Sequence, residues 1–189
     1  MTFPKSILAG LLALGFANDP AFAAPVTYYD GPTPAETCAA GVAKPGAASQ
    51  SLKQACEDAL GKQALSQSDR AATLANSGIV SLRLGDLNDA LLRLNEAAGL
   101  APEAGDIAIS LAAVLIRLGR AEEAINTLSD INSVSPENQH LAYYNRALAY
   151  WSLEHAEEAY HDFYTSAALK PGYAPAEEAL AQFQLVSAE

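Results

Sequence analysis

The chain has 189 residues, half of them hydrophobic and 17% charged, with a formal charge of −11. That composition fits one globular domain or a short repeat array, and glycine and proline are too sparse for disorder throughout. An acidic balance with no local basic stripe argues against a nucleic-acid partner, since a phosphate backbone needs Lys and Arg to displace its counterions.

In chain order, the first stretch reads as a targeting segment. Lys5 supplies a positive start, Ile7 to Ala17 is an apolar run broken only by glycines, and Ala21-Phe22-Ala23 is a small-x-small cleavage signal. Residues 1–23 are therefore expected to be a signal peptide, with Ala24 the first mature residue. The run is short for a bilayer span, so the mature protein is expected to be periplasmic or secreted, without stable membrane insertion. An uncleaved anchor is the alternative. No Cys follows the run, which argues against a lipid anchor.

Residues 24–32 show no helical period and read as an extended arm. Residues 33–70 read as a helical cap. Thr33-Pro34-Ala35-Glu36 has the form of a capping box, with Thr33 capping, Pro in the first helical place and Glu36 reaching back. A short helix carrying Cys38 is expected to stop at Gly41, followed by a loop over 41–48. From Ser49 to Ala64, Leu52, Ala55, Cys56, Ala59 and Leu60 form one helical face. Cys38 and Cys56, the only two cysteines, are a candidate disulfide in an exported chain. Two buried thiols or an intermolecular pair are the alternatives. No CxxC or CxxH spacing supports a metal site.

The rest of the chain repeats itself. GDLNDALLRLNEAAGLAP (Gly85–Pro102), GRAEEAINTLSDINSVSP (Gly119–Pro136) and EHAEEAYHDFYTSAALKP (Glu154–Pro171) align at Ala90, Ala124 and Ala159, then at Leu94, Leu128 and Phe163. The steps are 34 and then 35 residues. Each unit reads as two amphipathic helices, about 70–84 and 87–100, 105–118 and 121–134, and 138–153 and 156–169. Ser68 or Asp69 is the expected first cap. Gly85 and Gly119 end first helices where a left-handed residue is wanted, and Glu154 replaces that glycine in the third unit. Gly78, Ala112 and Ala147 are expected to face Ala90, Ala124 and Ala159, small against small, so that paired helices approach closely. A last amphipathic helix, over 174–189, presents Ala176, Leu180 and Phe183 on one face.

This pattern resembles the tetratricopeptide repeat (TPR) family. The resemblance implies an all-α solenoid of three repeats, 71–104, 105–138 and 139–173, between a disulfide-linked N-terminal cap and a C-terminal closing helix. Counting back 34 residues from Ala90 and Leu94 lands on Cys56 and Leu60. The cap thus reads as a degenerate repeat sealing the open end of the stack.

Residues suited to chemistry are few. His140, His155 and His161 lack metal-helix spacing and read as solvent-exposed. Glu122-Glu123 and Glu157-Glu158 recur at matching places, as on a solvated face. No nucleophile elbow or phosphate loop occurs. Neither enzymatic activity, cofactor nor metal is expected.

In TPR proteins the first helices line a concave groove that receives a peptide or a partner helix, and a mid-helix Asn often holds the ligand backbone. The resemblance places Asn76 and Asn145 in that role, with Ser110 between them. The basic residues of a carboxylate clamp are missing at Ala75, Ile79, Ser110, Leu141 and Asn145. Ile79, Ala113 and Leu148 make one groove position apolar; Leu82, Ile116 and Trp151 fill another, and Arg83 and Arg117 form a rim. Aromatic residues crowd the third repeat, where core packing competes with a recognition patch. Tyr143, Tyr150 and Phe163 match packing positions, whereas Tyr144 and Trp151 fall on the groove side. The candidate partner-binding set is therefore Asn76, Ile79, Arg83, Arg117, Tyr144, Asn145, Leu148 and Trp151. The expected function is a periplasmic protein–protein interaction scaffold, monomeric or weakly homo-oligomeric. The alternatives are a self-associating structural protein or an inactive accessory subunit of an envelope enzyme system.

Overall fold

The computed structural model of the chain describes residues 30–44, 46 and 48–186. The expected signal peptide and residues 24–29 of the expected arm lie outside them. From Gly31 onward the chain forms one compact unit. Its helices are α1 (Pro34–Ala43), α2 (Gln50–Lys62), α3 (Gln67–Leu84), α4 (Leu87–Leu100), α5 (Gly105–Arg117), α6 (Ala121–Thr127), α7 (Gln139–Ser152), α8 (Ala156–Leu169) and α9 (Ala174–Val186). No strand occurs among the described residues. Helices adjacent in sequence pair as hairpins, and α1, α3, α5 and α7 lie side by side in that order.

The first hairpin is α1 with α2. Both halves of the capping box form: Glu36 N donates to Thr33 Oγ1 at 3.3 Å, and Thr33 N to Glu36 Oε2 at 2.7 Å. Contrary to expectation, α1 runs through Gly41 to Ala43. A Cβ on Gly41 would strike the Leu52 side chain, so this glycine serves close approach to α2 rather than termination. Cys38 and Cys56 are disulfide-bonded, fully buried and packed with Val80 of α3. In the chain-entropy picture such a loop contributes about 3 kcal/mol.

In the repeats, α3 begins earlier than expected because Ser66 is its cap, accepting from Asp69 N at 3.1 Å and donating to the Asp69 carboxylate at 2.7 Å. Asp69 is thus the cap's partner and not the cap. The close approach expected at Gly78 is present. A Cβ on Gly78 would lie 2.6 Å from Leu94 Cγ and 3.3 Å from the Ala90 carbonyl. Ala112, Ala124, Ala147 and Ala159 are fully buried. Gly85, Gly119 and Glu154 all adopt positive φ, at 85°, 72° and 62°. The third turn therefore keeps the left-handed geometry without glycine, in a region that disfavours a Cβ.

One second helix departs from the pattern. The helix expected over 121–134 ends at Thr127 and gives way to a 3-10 turn, Ile131–Ser133. Here Ser129, Asp130, Asn132 and Ser133 offer side-chain partners that compete with helical bonds, and Ser133 Oγ does donate to the Asp130 carbonyl at 2.8 Å. The turn still buries Leu128, Ile131 and Val134. It lies so close to the start of α5 that a Cβ on Gly105 would meet the Ser133 backbone. Asp106 holds the following segment, accepting from Ser135 N at 2.9 Å, Ser135 Oγ at 2.7 Å and Asn138 Nδ2 at 3.1 Å.

Candidate functional site

The adjacent helices α3, α5 and α7 form a continuous wall, and all eight residues singled out from the sequence stand on it. Asn76 and Ile79 are half-buried on α3, and Arg83 is exposed near its end. The Arg83 guanidinium donates to the Val42 and Lys44 carbonyls at 3.0 and 3.2 Å, at the end of α1. Arg117, at the matching place on α5, donates to the Leu82 carbonyl at 2.7 Å. Each arginine adds a donor at the C-terminal end of the preceding first helix, where carbonyls run short of helical partners; the Leu82 carbonyl accepts from Gly85 N as well, at 3.2 Å. The Asn145 amide donates to the Ile109 carbonyl of α5 at 3.1 Å. Three of the eight residues therefore hold neighbouring first helices together.

Tyr144, Leu148 and Trp151 form a separate group at the α7 end. They gather with Phe163 of α8 and Phe183 of α9 around a cavity of about 270 Å³. Trp151 and Phe183 meet edge-to-face with centroids 4.8 Å apart, and Tyr144 lies 5.6 Å from Phe163 and 5.5 Å from Tyr173. Trp151 nevertheless remains 47% exposed. Burial, with a smaller effect of the Glu178 carboxylate, pushes the Tyr144 hydroxyl above its usual range. Tyr173 is raised likewise by burial and then by Tyr144. The closing helix α9 packs mainly on α8 and makes no comparable contact with α3 or α5.

The remaining aromatic residues divide as core and surface. Phe163 is buried, the Arg146 guanidinium lies 5.3 Å above the Tyr143 ring, and Tyr150 faces His155 at 6.1 Å. Of the three histidines, His155 and His161 are exposed, but His140 is 4% exposed and meets Tyr173 edge-on at 5.0 Å. Burial, reinforced by Lys170, lowers the His140 pKa, against a hydrogen bond to the Glu137 backbone. The repeat register carried this signal: His140 falls where Ala71 and Gly105 stand, and both are buried.

Sequence reasoning also missed a buried ion pair. Arg146 Nε and Nη2 donate to the two Asp162 oxygens at 2.6 and 2.9 Å, and Nη1 to the Leu128 carbonyl at 3.3 Å. Asp162 has almost no exposure, and the pair joins α7 and α8 to the end of α6. The available hint was a lone arginine on a packing face, aligned with Ser77 and Leu111. Among the described residues no group of three His, Cys, Asp or Glu side chains could hold a metal. No described helix is long and apolar enough to cross a membrane.

Comparison with known proteins agrees with this geometry. The tetratricopeptide repeat family matches residues 81–149, from the end of α3 into α7. A search of curated proteins returns no match. Twelve chains of solved structures match. One, described as "MamA RS-1 ArsTM double mutant", superposes with a TM-score of 0.60 at 20% identity, covering 73% of this chain and 75% of that one. At that identity the likeness speaks to the fold alone. Repeat register, helical hairpins and the family match over residues 81–149 converge: the chain has the fold of a tetratricopeptide-repeat solenoid.

Proposed function

We propose that the protein is a non-enzymatic scaffold of the cell envelope that holds a peptide or helix of a partner protein against the α3–α5–α7 wall. The observation that carries this reading is the wall's surface. Half-buried apolar residues, Ile79, Ala113 and Leu148, run along it, and a partly exposed tryptophan stands at one end. Apolar contact there would supply affinity, and an amphipathic aromatic anchor is a natural hot spot. A helix or extended segment laid across adjacent first helices is the recognition mode the surface fits. Placement in the periplasm is supported by the leader-like run at residues 1–23 and by a disulfide of the kind that persists in oxidising compartments.

Affinity capture from envelope extract tests the reading, with the chain from Ala24 beside a Tyr144→Ala/Trp151→Ala variant of unchanged helicity. A protein retained by the first and lost by the second is the expected result. Equal recovery by both would move the binding surface off the α7 end. A second reading, self-association, rests on Tyr160, Tyr164 and Leu169, which stand exposed on α8. It predicts sedimentation that depends on concentration and that Tyr164→Glu abolishes.

A further inference from the structure

The cavity beneath α9 differs in chemistry from the rest of the wall. The rings of Tyr144, Trp151, Phe163 and Phe183 line it together with Leu148 and Glu178, and Glu178 is exposed. Among the described residues neither Lys nor Arg lines it. At about 270 Å³ it falls just below the roughly 300–1,000 Å³ of drug-sized sites, so it suits a small head group. Aromatic faces carry negative potential and attract alkylammonium groups, most strongly at tryptophan. The carboxylate of Glu178, a lining residue, complements the same charge, within a chain whose formal charge is −11.

We infer that this ring-lined cavity binds an alkylammonium cation, held over the faces of Tyr144 and Trp151 and neutralised by Glu178. Free quaternary ammonium compounds and the lysine side chain of a bound segment carry the same chemistry. The inference deepens the wall reading, because Tyr144, Leu148 and Trp151 belong to both.

Trp151 is the only tryptophan of the chain, so its fluorescence reports directly from the cavity. The full chain is titrated with choline, with an Ala-Lys-Ala peptide, and with neutral counterparts, 3,3-dimethylbutanol and the norleucine peptide, at constant ionic strength. The expected result is a saturable change with choline, the lysine peptide or both, and about tenfold weaker response to the neutral forms. Choline alone would mark a small-molecule site, and the lysine peptide a subsite for a partner. Glu178→Gln, at an exposed position of α9, should weaken cation binding severalfold while leaving circular dichroism and the neutral ligands unchanged. Equal response to charged and neutral ligands, response to salt alone, or unaltered cation affinity in E178Q would overturn the inference. These probes need no partner, so the cavity can fail while capture on the wall succeeds, and the reverse.

Discussion

At the scale of single residues, Glu154 and His140 report most directly on how the repeats tolerate deviation. Glu154 holds a positive φ that two glycines hold in the other repeats. Left-handed geometry costs an L-residue about 1–2 kcal/mol, partly offset by the backbone entropy that glycine loses on folding. Glu154→Gly should therefore raise the melting temperature, by a stabilisation of about 0.5–1 kcal/mol; a lower melting temperature would show that the glutamate side chain contributes more than the strain. His140 makes a pH prediction. Burial, then Lys170, lowers its pKa from an ordinary value near 6.5. As pH falls, the unfolded chain therefore takes up the proton first. The stability is complete above about 6.5 and is lost as pH falls toward the lower folded value. Thermal melts from pH 8 to 5 should show the wild-type curve dropping more steeply than that of His140→Phe. Parallel curves would place the imidazole in water.

At the scale of elements, the short α6 is the informative case. Leu128, Ile131 and Val134 recur every third residue, a spacing that fits a helix face and a 3-10 turn equally well. Periodicity alone could not separate them. What decided the geometry was a polar run able to bond to itself and an Asp106 carboxylate placed 29 residues upstream to receive Ser135. Asp106→Ala would remove three hydrogen bonds to that carboxylate. It should cost about 2–3 kcal/mol and speed amide exchange over 129–138 before the α3–α4 hairpin is affected. Uniform loss of protection would mean that the segment and that hairpin open together. By contrast, α4 and α8 were legible to the residue, because small and large positions recur there in register. The candidate site was legible only in part. Register placed Arg83, Arg117 and Asn145 on the wall, but which carbonyls they reach depends on the offset between neighbouring helices, which no single repeat encodes. The same limit concealed Arg146–Asp162, whose partners belong to different helices.

At the scale of the molecule, stability in a repeat array is close to a sum over neighbours, so each end needs its own seal. Here a disulfide-bonded hairpin stands at one end, and α9, meeting α8 and the aromatic cluster, at the other. The first-helix wall between them is the surface proposed for the partner. Photo-cross-linking in cells tests this most directly, with a photoreactive amino acid at Ala113 on the wall or at Leu92, exposed on α4. Adducts to a discrete partner from Ala113 and none from Leu92 are predicted. Adducts from Leu92 with none from Ala113 would contradict the account and move recognition to the second helices.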